Sequence, residues 1–149
     1  MIILSWNIRG MGNDRTFKAL QKFLYLYKPQ LVFLCETKLS TVQMNNVGRK
    51  LNFGNCFAVN SRGKSGGITM LWAHDIKVDI TSYSSHHIDA EVEVENGKHM
   101  RCTGVYGHQE VSQKSTHGLY FASLQVYLHL HSFTLVILIK YCIWEKKME

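Results

Sequence analysis

The chain has 149 residues, 46% of them hydrophobic, with one proline and a net charge of +6. That length suits one domain able to close a core, and the apolar content sets aside an intrinsically disordered chain. The four cysteines, Cys35, Cys56, Cys102 and Cys142, include no CxxC pair, so neither a zinc ribbon nor a disulfide framework is indicated.

The charge is unevenly placed. Residues 1–64 hold ten Lys/Arg against two acids, Asp14 and Glu36, whereas residues 65–118 hold four against seven. A basic first half attracts phosphate, although many soluble domains carry such a bias without meeting nucleic acid.

MIILSW predicts a buried strand running straight into Asn7. It begins at the first residue, which leaves no space for a secretory leader and points to an intracellular chain, in nucleus or cytoplasm. NIRGMGND reads as a loop. RTFKALQKFLYLY then places Phe17, Leu20, Phe23, Leu24 and Tyr27 at helical spacing, and Lys28-Pro29 ends the helix. LVFLC, residues 31–35, is a second buried strand, followed at once by Glu36. Ser40 is a candidate cap for a second helix through Leu51, with Val42, Val47 and Leu51 as its inner side.

From there the pattern becomes strand-like. NCFAVNS, GGITMLWA, IKVDITSY, HHIDAEVEVE and HMRCTGVYG predict five strands. IDAEVEV alternates most clearly, with Ile88, Ala90, Val92 and Val94 on one side and acids on the other. Asn96-Gly97 predicts a type I′ hairpin turn. The expected fold is α/β, a βαβα start followed by an antiparallel β meander.

Residues 119–139 carry no Lys, Arg, Asp or Glu. The stretch is long enough for a membrane-spanning helix, but Gln125, His129 and His131 weaken that reading. A tail anchor, a segment lying over the core, and translated sequence never selected to fold are the three alternatives.

Two side chains invite chemistry because each follows an apolar strand directly. If the first two strands are parallel neighbours, Asn7 and Glu36 emerge at one sheet edge. A carboxylate beside an amide oxygen begins a hard-cation site for Mg²⁺ or Mn²⁺. The structural alternative is that Asn7 caps its own turn and Glu36 pairs with Lys38. RGKSGG, residues 62–67, is not a phosphate-binding P-loop: that motif needs glycine where this chain has Ala58, and a strand rather than a helix follows. Gly66-Gly67 instead predicts either a tight strand entry or a close backbone approach. The eight histidines show no zinc-ligand spacing, and Trp6 and Trp72 read as core.

LSWNIRGMG, LVFLCETKL, KSGGITMLW and CTGVYGHQE, in that order, resemble the endonuclease/exonuclease/phosphatase family, and within it the endonuclease domain of plant LINE-type retrotransposons. The resemblance covers residues 1–117 and leaves 118–149 as an apolar tail outside it. It implies a truncated portion of a four-layered α/β sandwich and Mg²⁺-dependent cleavage of phosphate esters, with target DNA as substrate in the retrotransposon branch. By motif match, Glu36 is the metal-binding glutamate, Asn7 the amide that organises metal and phosphate, and Tyr106 a tyrosine bonded to the scissile phosphate. Arg9 and Lys38 stand beside them as candidate DNA contacts. No obligate protein partner is implied.

The family's GDFN-like motif and its terminal Asp-His pair are absent from these residues, and Gln109 stands three residues after Tyr106. The expectation is therefore a nuclease fragment without appreciable activity of its own. Its rivals are, first, a relic with no role, then a non-catalytic nucleic-acid-binding module, and last a tail-anchored membrane protein. With half the sandwich missing, the apolar sides of GGITMLWA and HIDAEVEV are expected to lie open to water.

Overall fold

The computed structural model describes residues 1–94, 97–106, 125–128 and 134–139. Its order is β1 (Ile2–Asn7), α1 (Asp14–Tyr27), β2 (Leu31–Cys35), α2 (Thr41–Lys50), β3 (Asn55–Arg62), β4 (Ser65–Trp72), β5 (Lys77–Tyr83), β6 (His87–Val94), β7 (Lys98–Tyr106), β8 (Gln125–Leu128) and β9 (Thr134–Ile139). The strands form two sheets, ordered β3-β4-β2-β1-β8 and β5-β6-β7-β9. This is the α/β sandwich fragment the motifs imply.

Both helices cover the outer face of the first sheet. Leu20 of α1 and Met44 of α2 pack against Leu4, Trp6, Val32, Leu34 and Leu71, and Trp6 meets Phe23 edge-on at 5.5 Å. α2 starts as predicted, with Ser40 and Gln43 forming a reciprocal capping box. Its inner side agrees with expectation in part, since Val47 and Leu51 pack against this core. Val42 is 71% exposed, and Met44 and Gly48 are buried instead. Gly48 lies so near the sheet that a Cβ on it would stand 3.3 Å from Cys56 and Leu71.

The inner face of the first sheet meets the second. Phe33, Ile68 and Met70 share one core with Ile88, Ala90, Val92, Met100 and Cys102, all 0–2% exposed. The expected exposure of GGITMLWA and HIDAEVEV is therefore wrong: each buries its apolar side on the other. The approach is closest at Gly104, where a Cβ would run into the Phe33 ring.

The β6–β7 hairpin forms, but its register pairs Val94 with Lys98. That leaves three residues in the connection rather than the two of a type I′ turn. Asn96 itself lies outside the described residues, as do Cys142, Gln109 and the division at 117–118. Cys35 and Cys102 are buried and Cys56 partly so, all unoxidised. Burial pushes the Cys56 thiol up to about 11 and Cys102 to about 12, the opposite of a reactive cysteine.

Where the uncharged segment 119–139 is described it is strand. β8 pairs antiparallel with β1, and β9 pairs parallel with β7. Among the described residues no helix is long and apolar enough to cross a membrane.

Candidate metal and phosphate site

Parallel pairing of β1 with β2 sets Asn7 opposite Cys35, so Asn7 and the adjoining Glu36 share the carboxyl rim of one sheet. Asn7 follows Ile3 and Ser5 at the strand period of two, on the face turned towards the second sheet. It is 4% exposed.

The loops beyond the two strands are laced together. The N–H groups of Ile8, Gly10 and Met11 donate to the carbonyls of Cys35, Glu36 and Thr37 at 3.1, 2.7 and 2.9 Å. On the other flank, Thr37 and Lys38 donate to the carbonyls of Gly67 and Gly66 at 3.1 and 3.0 Å. The Glu36 loop is thus clamped between β1's extension and the start of β4. This is the close approach predicted for Gly66-Gly67: Gly67 has φ +85°, and a Cβ there would collide with the Thr37 hydroxyl.

Clamping allows unusual backbone. Arg9, Glu36 and Lys38 adopt φ of 48°, 54° and 56°, a left-handed conformation costing a non-glycine residue roughly 1–2 kcal/mol. Three such residues in two facing loops are held by their surroundings, a pattern that clusters at functional sites.

Tyr106 arrives from the second sheet, at the end of β7. Its hydroxyl donates to Glu36 Oε1 at 2.5 Å, a short charge-assisted bond. Its N–H donates to the His86 carbonyl at 2.7 Å, fixing it to the β5–β6 loop. The structure therefore brings Asn7, Glu36 and Tyr106 to one end of the sandwich. Arg9 and Lys38 flank them, both exposed.

The structural alternative for Asn7 holds, because its Oδ1 accepts the Arg9 N–H at 3.2 Å. That bond leaves the amide oxygen a second lone pair. The alternative for Glu36 does not hold: the described residues contain no Glu36–Lys38 ion pair. The donor set suits a hard cation, with one carboxylate and one amide oxygen at a common rim. Among the described residues no cluster of three or more His, Cys, Asp or Glu offers a softer metal site. Thr37 escaped sequence reading. It is 1% exposed and its hydroxyl has no partner; its one signal was its place directly after Glu36.

A sequence profile of the endonuclease/exonuclease/phosphatase family matches residues 4–145. The chain belongs to that family. No curated protein matches it. Among solved structures, the catalytic domain of human Nocturnin with bound sulfate anion aligns with TM-score 0.58 and 11% identity over 75% of this chain and 51% of that one. D. rerio TDP2 complexed with single strand DNA product aligns at 0.52 and 25% identity, covering 76% of this chain and 49% of that one. AP endonuclease LMAP from Leishmania major aligns at 0.52 and 13%, over 70% and 39%. The chain thus spans about half the length, or less, of these solved structures. What it shares with them is the endonuclease/exonuclease/phosphatase fold.

Proposed function

We propose that this chain carries the metal-and-phosphate half of a Mg²⁺-dependent phosphodiesterase site that acts on DNA, of the retrotransposon endonuclease type its motifs resemble. The observation that supports this reading is the convergence of Glu36, from the first sheet, with the Tyr106 hydroxyl, from the second, beside the buried Asn7 amide. A hydroxyl–carboxylate bond thus joins the two sheets at one end of their shared apolar core.

Glu36 and Asn7 would hold the cation, Mg²⁺ or Mn²⁺. Bound there, it supplies positive charge against a phosphate and lowers the cost of charge developing on its oxygens. Tyr106, on giving up its bond to Glu36, would donate its one hydroxyl proton to a phosphate oxygen, and the loop bonds around Glu36 keep the carboxylate in place before substrate arrives. Arg9 and Lys38 add charge for the flanking backbone.

Hydrolysis further needs a group that takes a proton from water, and loss of a general base costs about 10²–10⁴-fold. The motifs that supply it in the family are absent from these residues, so they bind metal and DNA but turn over very slowly by themselves.

The test pairs two measurements. Titration with Mn²⁺, followed by its electron paramagnetic resonance signal, is expected to reveal one site that Glu36→Ala abolishes; a chain with no such site would overturn the reading. Supercoiled plasmid with Mg²⁺ is expected to stay intact. Nicking that Glu36→Ala abolishes would keep the nuclease reading and overturn the slow turnover.

A further inference from the structure

Segment 62–65, rejected above as a P-loop, has a use that only its placement reveals. β3 and β4 pair from Asn55↔Trp72 to Arg62↔Ser65, leaving Gly63 and Lys64 as the turn. The base of this hairpin is anchored to the site loops. Asn60 Oδ1 accepts the Thr41 N–H and hydroxyl at 2.7 and 2.8 Å, Ser61 N–H donates to the Leu39 carbonyl at 3.3 Å, and the Gly66 and Gly67 carbonyls accept from Lys38 and Thr37. Residues 62–65 project past that base. All four are exposed, and a Cβ on Gly63 would meet nothing within 4 Å. The Ser65 hydroxyl donates to the Arg62 carbonyl at 3.3 Å and closes the tip.

The tip therefore stands one to two residues beyond Gly66, or roughly 3–7 Å along the strand direction. It lies on the same end of the sandwich as Glu36 and Tyr106. With Arg9 and Lys38, Arg62 and Lys64 give that end four exposed cationic residues. The exposed acids Asp75, Asp79 and Glu91 lie towards the opposite end, where β5 begins and Asp79 pairs with Glu91. Asp14, at the start of α1, offsets the cations only in part.

We propose that the Arg62–Ser65 tip is a second anchor for the phosphodiester backbone of a nucleic acid whose reacting phosphate lies at Glu36 and Tyr106. This rests on the phosphodiesterase reading and adds to it a direction, with the strand running from Glu36 across Lys38 to the hairpin. Each phosphate occupies about 3.4 Å of duplex axis per strand, so the projection from Gly66 to the tip spans about one or two nucleotides. A glycine-flanked turn bearing two long cations suits phosphate contacts, which position a strand without reading its bases.

The test is fluorescence anisotropy of the whole chain with a labelled duplex, Ca²⁺ replacing Mg²⁺, across about 50–200 mM salt. Loss of two phosphate contacts in Arg62→Ala/Lys64→Ala should lower the log–log salt slope by about 1.8 for duplex and about 1.4 for single strand. Arg49→Ala/Lys50→Ala, at the far end of α2, should leave the slope unchanged. Equal slopes for wild type and the hairpin variant would overturn the proposal. So would equal losses in both double variants, or a polyglutamate competitor as effective as nucleic acid at equal charge. A reduced slope in a chain that shows no Mn²⁺ site would support the hairpin and overturn the metal reading. An intact Mn²⁺ site with an unchanged slope would overturn the hairpin alone.

Discussion

The Glu36 loop depends on a fit between a glycine and a hydroxyl. Gly67 has a left-handed φ and faces Thr37 Oγ1, so Gly67→Ala meets both backbone strain of roughly 1–2 kcal/mol and a steric collision. The collision pushes on the residue next to the candidate metal carboxylate, so Mn²⁺ affinity should fall together with stability. Removing the Thr37 hydroxyl should cost little by itself, because that oxygen is buried without a hydrogen-bond partner. The double variant Gly67→Ala/Thr37→Ala should therefore recover part of the Mn²⁺ affinity that Gly67→Ala loses, while retaining the strain. Urea midpoints and Mn²⁺ titrations of the three variants check this, and a double variant no better than the single would show that the hydroxyl does not transmit the effect. At this scale the sequence marked Asn7, Glu36 and Tyr106 as candidates, because each lies in a recognisable motif, and the fold brings them to one end of the sandwich. It was silent on Thr37, since a threonine after a glutamate has no pattern that marks it as buried.

Single elements were legible where their signals are local. Ser40 and Gln43 sit three apart and cap α2 through bonds between near neighbours. The inner face of the same helix was legible in Val47 and Leu51 but not in its centre at Gly48, whose missing side chain lets the sheet come close and which contributes nothing to an apolar pattern. The outer face of β6 held another surprise. Asp89, on the acidic side of the strand, is 3% exposed. Arg101 grips it with three hydrogen bonds of 2.6–3.1 Å, and Thr103 donates at 2.7 Å. Arg101's bonds hold the Asp89 carboxyl down to about 2, with Thr103 and Thr81 assisting and burial opposing. A carboxyl lowered on folding stabilises the native state above its unfolded pKa and loses that contribution as pH falls towards the folded value. Stability should thus decline between about pH 4 and pH 2 through this group. Asp89→Asn should remove that part of the decline and cost about 1–3 kcal/mol at neutral pH, as lost hydrogen bonds to a charged group do. Thermal melts across that range measure both effects; an unchanged acid limb would show that other carboxylates set it.

At the scale of the molecule, the union of two sheets was the least legible feature. Period-two alternation says which side of a strand is apolar but not which other strand will cover it, so the inner faces of β4 and β6 were expected to lie open. The register explains why they do not, and it joins packing to chemistry. Phe33 lies against Gly104, Glu36 follows Phe33 by three residues, and Tyr106 follows Gly104 by two. The distance between sheets at Gly104 therefore sets whether the tyrosine hydroxyl reaches the carboxylate. Gly104→Ala would drive a methyl group into the Phe33 ring, and overpacking of this kind costs about 1–3 kcal/mol. The sheets must part or the ring must leave its place, and either response pulls Tyr106 away from Glu36. The expected outcome is a lower urea midpoint together with weaker Mn²⁺ binding. Phe33→Leu in the Gly104→Ala background frees space for the methyl and should restore binding more than stability, because a smaller side chain leaves its own cavity. A Gly104→Ala chain with unchanged midpoint and unchanged Mn²⁺ affinity would mean that the sheets are not in contact there, and the site would lose the packing that brings its two halves together.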